Sequence, residues 1–261
     1  MSWFMSKRIP LIFLSFFFFT LAIAQSNQSN WKLVWSDEFN EKGYLDTTIW
    51  SKIPRGAVHW KRYMSDYDSC YAVKEGNLVL RGILNETLKN DTAPYITGGV
   101  CTKGRNLFDG TGKLEIRAQI RGIQGAWPAI WMVAENTPWP HGGEIDIMEN
   151  TNNSATIEQT VHSYYTYTLK QKFPVQTSVY KIVPGSYNIY TVEFYPDSLC
   201  FYVNSKHTFT YPRINTNLKG QFPFYQPYYL MLDMQFTSKV KKEDLPAEMW
   251  VDWVRYYKKE E

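Results

Sequence analysis

The chain has 261 residues, with 28 Lys and Arg against 25 Asp and Glu and a formal net charge of +3. This balance, with no run of basic residues, excludes the electrostatic signature of a nucleic-acid-binding protein. Cys70, Cys101 and Cys200 are an odd number, so they cannot all pair within one chain, and they lack the Cys-x-x-Cys spacing of a zinc site. At most one disulfide can form, and all three can equally be small buried side chains.

The first 24 residues have the layout of a secretory signal peptide. Lys7 and Arg8 precede an apolar run over residues 11–23, and an Ala-Ile-Ala segment ends at Ala24. The run is shorter than the roughly 20 apolar residues that a membrane span needs. We therefore predict a secreted or periplasmic protein with no transmembrane span after cleavage. An uncleaved anchor is the alternative.

The rest of the chain is predicted to form one all-β domain, residues 31–261, after a short polar lead-in at residues 25–30. Short β-branched or aromatic runs bounded by Gly, Pro, Asn and Asp predict its strands. In chain order they are residues 33–35, 77–80, 113–120, 189–194, 199–203 and 228–233. Only residues 239–245 indicate a helical turn. Many short strands without helices between them predict antiparallel sheets packed face to face as a β-sandwich.

One predicted strand carries three carboxylates, Glu144, Asp146 and Glu149. Side chains alternate between the two faces of a strand, so the first two acids share a face and the third points away. A one-residue bulge near Ile147 or Met148 would reverse this parity and bring all three acids to one surface. Cleavage of a glycosidic bond needs such a cluster, because one carboxyl protonates the leaving oxygen while another meets the charge at the anomeric carbon.

Tryptophans surround this motif. Trp127 and Trp131 lie upstream of the acids, and the segment from Trp139 to Gly143 leads directly into them. Flat aromatic rings beside carboxylates suit sugar binding, because an indole face packs on C–H groups while its N–H finds a polar partner. The alternative is that the acids belong to a half-exposed strand and the aromatics to the core.

The acidic motif, with Trp127-Pro-Ala-Ile-Trp131 before it, resembles the signature of glycoside hydrolase family 16, in its laminarinase-like branch with bulged spacing. Residues 31–39 resemble the opening strand of this family and residues 249–257 its closing strand, so the resemblance covers nearly the whole mature chain. It implies a concanavalin A-like jelly roll with an open cleft on its concave face, and residues 31–261 as the catalytic domain. A cleft open at both ends admits the middle of a polymer and implies endo-action.

The resemblance also assigns roles to the three acids. Glu144 is the expected nucleophile, Asp146 its electrostatic helper and Glu149 the general acid/base of a retaining mechanism, in which the two glutamates act directly on the sugar. Transferases of this family typically have the shorter spacing Glu-x-Asp-x-Glu, so hydrolysis is preferred over transglycosylation. A lectin-like module on the same sandwich is a further alternative, although it would need neither glutamate.

Six other residues are predicted to bind the substrate. Trp127 and Trp131 are expected as sugar platforms, and the resemblance places His162 beside Glu149 or the leaving-group sugar. The other three are Arg117, expected on the cleft face with Glu115, and Trp60 and Tyr63, expected in a loop that walls one end of the cleft. The alternatives are a structural histidine at position 162 and a solvated charge at position 117.

The resemblance further implies a structural calcium away from the catalytic acids. The matching positions are Glu38, Gly76 and Asp252, which offer the oxygen donors that a hard cation prefers. No cofactor is needed for catalysis, because carboxylates alone can perform the chemistry.

Departures from the family pattern bear on the substrate. Laminarinases of this family usually have Gly-Gly and a tryptophan after the strand that ends near Gln235, whereas this chain continues Phe236-Thr-Ser-Lys239. The segment from His59 to Asn77 instead resembles a branch of gut bacterial enzymes that cut galactosyl linkages in host O-glycans. We predict β-galactosyl linkages of poly-N-acetyllactosamine-type O-glycans as the substrate and a monomeric enzyme. An endo-β-1,3(4)-glucanase is the alternative.

Overall fold

The computed structural model describes residues 31–40, 43–86, 88–109, 111–237 and 240–260. Two antiparallel sheets, one of nine strands and one of seven, share one main hydrophobic core, and a smaller buried cluster includes Ala129 and Trp131. This architecture confirms the predicted all-β sandwich. The predicted signal peptide and the polar lead-in, residues 1–30, lie outside the described residues. Within the described part of the chain, no helix is long and apolar enough to cross a membrane.

The nine-stranded sheet contains both ends of the described chain. Its strands are β1 (Trp31–Asp37), β3 (Tyr71–Lys74), β4 (Asn77–Leu84), β5 (Tyr95–Thr97), β7 (Gly112–Arg121), β12 (Tyr187–Tyr195), β13 (Ser198–Val203), β14 (Lys206–Pro212) and β16 (Ala247–Lys259). The strand order is β14-β13-β12-β7-β16-β4-β3, with β1 paired to β16 and β5 paired to β4.

The seven-stranded sheet contains the acidic motif. Its strands are β2 (Ser51–Lys52), β6 (Gly99–Cys101), β8 (Ala126–Ala134), β9 (Glu144–Glu149), β10 (Thr156–His162), β11 (Thr177–Lys181) and β15 (Tyr228–Phe236), in the order β11-β10-β9-β8-β15-β6-β2. The helical segments are short. They are the 3-10 turns His59–Lys61, Asp68–Cys70 and Lys242–Asp244 and the π-helical turn Tyr164–Thr168.

The core follows from the two-residue period of the strands. Along β7, buried apolar residues alternate with partly exposed ones, so Leu114, Ile116 and Ala118 face the other sheet. Ile130 and Met132 of β8 belong to the same core cluster. The central strand β15 is buried along almost its whole length, because one face meets the core and the other forms the floor of a cleft.

The strands predicted from the sequence are all present, each extended by a few residues in the structure. The predicted helical turn at residues 239–245 contains the 3-10 turn at Lys242–Asp244. All three cysteines are free thiols, and Cys70 and Cys101 are buried. Burial raises the pKa of the Cys70 thiol to about 12, so this side chain behaves as a small apolar group.

Candidate active site

Strand β9 carries one extra residue relative to its neighbour β8. Ile130 of β8 pairs with Met148, but the next residue, Trp131, pairs with Asp146, which leaves Ile147 without a partner on β8. The register with β10 shifts at the same level. Because such a bulge reverses the alternation of side chains, the last acid of β9 falls on the same face as the first two. All three acids line one cleft, so the predicted bulge is confirmed.

The cleft has a volume of about 900 Å³ and lies on the outer face of the seven-stranded sheet. Alternate residues of β8 and β15 form its floor. They are Trp127, Ala129, Trp131 and Val133 on β8 and Tyr229, Met231 and Gln235 on β15. The turn His59–Lys61 and the segment 134–139 form walls on different sides. Apolar and aromatic groups beside a few polar ones are typical of a ligand site.

The acid Glu149 is held by a tryptophan. The indole N–H of Trp127 donates a hydrogen bond of 2.8 Å to Oε1 of Glu149. The ring of His59 lies against the Trp127 ring, with centroids 5.0 Å apart. The indole therefore fixes the carboxyl in the cleft and stabilises its charged form.

Burial raises the pKa of every acid in the motif, and repulsion between the acids adds to this at Glu144 and Asp146. Burial, with the nearby charge of Asp146, raises the pKa of Glu144 to about 8. The pKa of Asp146, which is buried most deeply, is raised well above its usual range by burial and by the charge of Glu149. Burial also raises the pKa of Glu149, against the opposing hydrogen bond from Trp127. The three carboxyls titrate as a group, which can hold a proton and a negative charge together near neutral pH.

His162 contacts the central acid. Its Nε2 lies 3.3 Å from Oδ2 of Asp146, and in the strand register it sits opposite Glu144. That oxygen of Asp146 is buried and has no aligned hydrogen-bond partner, so the contact is electrostatic. The resemblance implied a place beside Glu149. Glu149 pairs with Glu158 in the strand register, but the positive charge of His162 acts on Glu149 through space and opposes the rise that burial causes in the pKa of that carboxyl. Glu144, Asp146 and His162 also present ligand atoms within 4.8 Å of one another, the one such group among the described residues.

Two of the predicted substrate-binding tryptophans, the platform Trp131 and the wall residue Trp60, meet in the cleft. The rings of Trp60 and Trp131 pack edge to face with centroids 4.8 Å apart, and both line the cleft. The indole N–H of Trp131 donates a 2.7 Å hydrogen bond to the buried carboxyl of Asp233. Trp131 is only 7% exposed, so little of its ring is open to a ligand.

Two predicted substrate-binding residues lie elsewhere. Arg117 belongs to β7 in the nine-stranded sheet, together with Glu115, so the prediction that these charges share the cleft face is wrong. Its guanidinium forms an ion pair with Asp252. Tyr63 packs its ring edge to face against Tyr95, 6.0 Å away, and against the main core rather than in the cleft. For Arg117 the cause is that a strand pattern shows which residues alternate but not which sheet holds the strand. For Tyr63, a loop sequence does not show which neighbours the ring packs against.

Residues that the sequence did not single out complete the cleft. Trp139 and Tyr167 each remain 45% exposed, line the cleft and contact each other with ring centroids 4.3 Å apart. Trp139 stood in the motif only as context, and no pattern marked Tyr167, which lies in the π-helical turn. Gln235 lies on the floor, and the buried Asp233 lies beside it, two residues earlier on β15. Only strand alternation on β15 could have indicated them.

The predicted calcium ligands do not fit a metal site formed by side chains. Both carboxylate oxygens of Glu38 accept hydrogen bonds from Arg255, at 2.9 and 2.8 Å. Asp252 is engaged by Arg117. Each carboxylate is therefore neutralised by a guanidinium. Gly76 lies in the tight turn between β3 and β4, with a φ of 69°.

The chain is similar to known carbohydrate-active proteins. A family model described as the XgeA-like catalytic domain of glycoside hydrolase family 16 matches residues 114–212. Keratan-sulfate endo-1,4-beta-galactosidase of Sphingobacterium multivorum is 38% identical over 88% of this chain. The chain spans 56% of the length of that relative. Beta-glucanase of Rhodothermus marinus is 28% identical over 88% of this chain and 86% of its own length.

A solved structure from work on endo-acting O-glycanases, which prominent members of the human gut microbiota express to initiate mucin breakdown, is also similar. It is 30% identical with a TM-score of 0.75, over 86% of this chain and 98% of that chain. These matches, together with the bulged acidic strand on the floor of the cleft, define a carbohydrate-active β-sandwich. The chain belongs to glycoside hydrolase family 16 and carries the catalytic domain of that family.

Proposed function

We propose that the protein is a retaining endo-β-glycosidase that hydrolyses internal β-galactosyl linkages in poly-N-acetyllactosamine-type O-glycans. The observation that carries the proposal is the placement of three carboxylates with raised pKa values on one face of β9, one of them held by Trp127. A glycosidase needs a proton donor and a carboxylate on either side of the anomeric carbon, and this cluster can supply both.

The proposed reaction has two steps. Protonated Glu149 donates its proton to the glycosidic oxygen while the carboxylate of Glu144 attacks the anomeric carbon, so the glycosidic bond breaks and a glycosyl ester forms. Ionised Glu149 then removes a proton from water, whose oxygen displaces Glu144 and leaves Glu149 protonated again. Asp146, buried beside Glu144 and facing His162, takes up part of the charge that Glu144 gains and loses in each cycle.

Three observations support a galactosyl substrate. The keratan-sulfate relative and the O-glycanase structure share 38% and 30% identity with this chain. The sequence Phe236-Thr-Ser at the end of β15 lacks the Gly-Gly and the tryptophan platform that laminarinases of the family usually have. The walls of the cleft instead come from other aromatics, Trp60 on one side and the Trp139–Tyr167 pair on another.

An endo-β-1,3(4)-glucanase is the second candidate. The 28% identity to the beta-glucanase of Rhodothermus marinus, over most of both chains, favours it. The two substrates differ in the orientation of O4, which is axial in galactose and equatorial in glucose. The experiment below separates them.

The test is a product profile of the purified protein. Keratan sulfate, mucin O-glycans, laminarin and mixed-linkage glucan are each incubated with wild type and with the matched variant Glu144→Gln, and the products are sized. Internal cleavage of the galactosyl polymers by wild type alone supports the proposal. Cleavage of laminarin alone would favour the glucanase over the proposed galactosidase. Binding to a polymer without new reducing ends on any of them would favour a lectin. Transfer products at high acceptor concentration would indicate a transglycosylase.

We also propose that the protein is exported and loses residues 1–24. The charged start, the short apolar run and the small residues before Gln25 support this proposal. N-terminal sequencing of the protein recovered from a bacterial periplasm or medium tests it. A mature chain that begins at Gln25 is the expected result, and an intact first residue would contradict the cleavage.

A further inference from the structure

A buried carboxyl that the proposed reaction does not use lies among the side chains of the cleft floor. Asp233 on β15 is 0% exposed. Its Oδ2 accepts a hydrogen bond of 2.7 Å from the indole of Trp131, and its Oδ1 accepts one of 2.7 Å from the amide of Gln235. Gly99 makes room for it, because a side chain there would come within 2.7 Å of the Asp233 Cβ. Asp233 therefore connects two residues of the cleft floor.

These bonds fix the orientation of the Gln235 amide. An indole N–H can only donate, so the Oδ2 of Asp233 must act as an acceptor there. Burial raises the pKa of Asp233 to about 7, so above that pH Asp233 is a carboxylate that also accepts at Oδ1, and the NH2 group of Gln235 faces it. The carbonyl oxygen of Gln235 is then turned away from Asp233. That oxygen is buried and has no hydrogen-bond partner.

The residue that carries the unpaired oxygen lines the cleft, next to the acid/base. Gln235 is 3% exposed, lines the cleft and lies directly opposite Trp127 across the β8–β15 pair. Trp127 in turn holds Glu149. A buried acceptor without a partner is unfavourable in the free protein. A hydrogen-bond donor on a bound ligand would remove that penalty.

We propose that Gln235 is a specificity-determining residue whose carbonyl oxygen accepts a hydrogen bond from a sugar hydroxyl or from an acetamido N–H of the glycan. Asp233 is a positioning residue that keeps the Gln235 carbonyl available. The inference rests on the proposed function, since it names how that same cleft selects its substrate. This proposal gives a role to Asp233 and Gln235, which the proposed reaction does not use.

The role of Asp233 makes an unusual prediction for its closest isostere. In Asp233→Asn, the side-chain oxygen still accepts from Trp131, but the new NH2 group faces Gln235. The Gln235 amide then rotates so that its carbonyl accepts from the asparagine, which occupies the acceptor. Asp233→Asn should therefore reduce activity as much as Gln235→Met does, although it keeps the packing of the floor.

The experiment uses two matched substrates, a poly-N-acetyllactosamine oligosaccharide and its analogue with glucose in place of N-acetylglucosamine. We measure kcat and KM for wild type, Gln235→Met, Asp233→Asn and the double variant. In wild type, the buried Gln235 carbonyl is paired only when the substrate donates to it. Loss of that hydrogen bond should lower kcat/KM by about 10-fold to 100-fold. The double variant should be no worse than either single variant, because both remove the same interaction.

The outcomes separate the sources of the donor. A fall confined to the acetamido substrate identifies the N–H as donor, and an equal fall on both substrates identifies a hydroxyl. The matched control is Gln119→Met on the nine-stranded sheet, which should stay within twofold of wild type. Thermal unfolding of each variant checks folding, and Gln235→Ala replaces Gln235→Met if the latter does not fold.

Two results would overturn the inference. One is activity within twofold of wild type for folded Gln235→Met, and the other is full activity of Asp233→Asn. If wild type cleaves neither galactosyl substrate but cleaves laminarin oligosaccharides, the proposed substrate is wrong. The role of Gln235 is then tested on the glucan instead. The same variants are then measured on laminarin oligosaccharides, with the same twofold criterion.

Discussion

Replacement of the expected nucleophile, Glu144→Gln, should make the protein more stable at alkaline pH while it removes hydrolysis. The physical reason is the position of Glu144 in the cleft. Burial and the charge of Asp146 raise its pKa from 4.5 to about 8 in the folded state. The unfolded chain keeps an ordinary glutamate, which ionises near pH 4.5. Between pH 4.5 and about 8, the folded protein therefore keeps a proton that the unfolded chain releases.

The sign and size of the effect follow from linkage. Below pH 4.5 both states are protonated and Glu144 does not alter the pH dependence of stability. As the pH rises from 4.5 to about 8, Glu144 of the unfolded chain ionises while the folded cluster of carboxyls keeps the proton that it shares, so the free energy of unfolding falls by about 1.36 kcal/mol per pH unit. The upper bound is about 5 kcal/mol at pH 8. Because the neighbouring carboxyls share the proton, we expect about 2–3 kcal/mol.

The assay is urea unfolding at pH 5 and pH 8 for wild type, Glu144→Gln and the matched control Glu243→Gln, whose side chain is exposed. Glutamine does not ionise, so the stability of Glu144→Gln relative to wild type should increase between the two pH values. The control should follow wild type at both. A difference between Glu144→Gln and wild type that is the same at pH 5 and pH 8, or that decreases, would refute the burial argument.

Three further predictions concern the cleft and its surroundings. Glu149→Gln should abolish measurable hydrolysis with an unchanged circular dichroism spectrum, and substantial residual activity would remove Glu149 from its acid/base role. Trp127→Phe removes the N–H that stabilises the Glu149 carboxylate, so the pKa of Glu149 should rise. The alkaline limb of the pH profile of kcat/KM should therefore move to higher pH. An alkaline limb at the wild-type pH would contradict this prediction. Arg117→Gln breaks a partly exposed ion pair on the nine-stranded sheet. The kcat/KM should stay within twofold of wild type, and the free energy of unfolding in denaturant should change by no more than about 1 kcal/mol. A large loss of activity would support a substrate-binding role for Arg117.

The sequence predicted the strands well because their signal is local. Alternating apolar residues, as in residues 113–120, identify a strand wherever it lies, since one face must be buried. The bulge in β9 was also predictable, because three carboxylates with this spacing make chemical sense only if an extra residue brings them to one face. The placement of Arg117 was not predictable in this way. Its strand β7 pairs with β12 and β16, and that choice depends on contacts far apart in the chain.

The chain by itself determined the all-β class, the acidic strand and the tryptophans that accompany it. The reason is that side-chain alternation and a cluster of carboxylates are both visible in residues close together in the sequence. The tertiary structure decided which side chains share the cleft. It brought Tyr167 to Trp139 and set Gln235 opposite Trp127, across a pairing of strands about 100 residues apart. Sheet order and register follow from burying both faces of the sandwich at once, and no local pattern specifies that outcome.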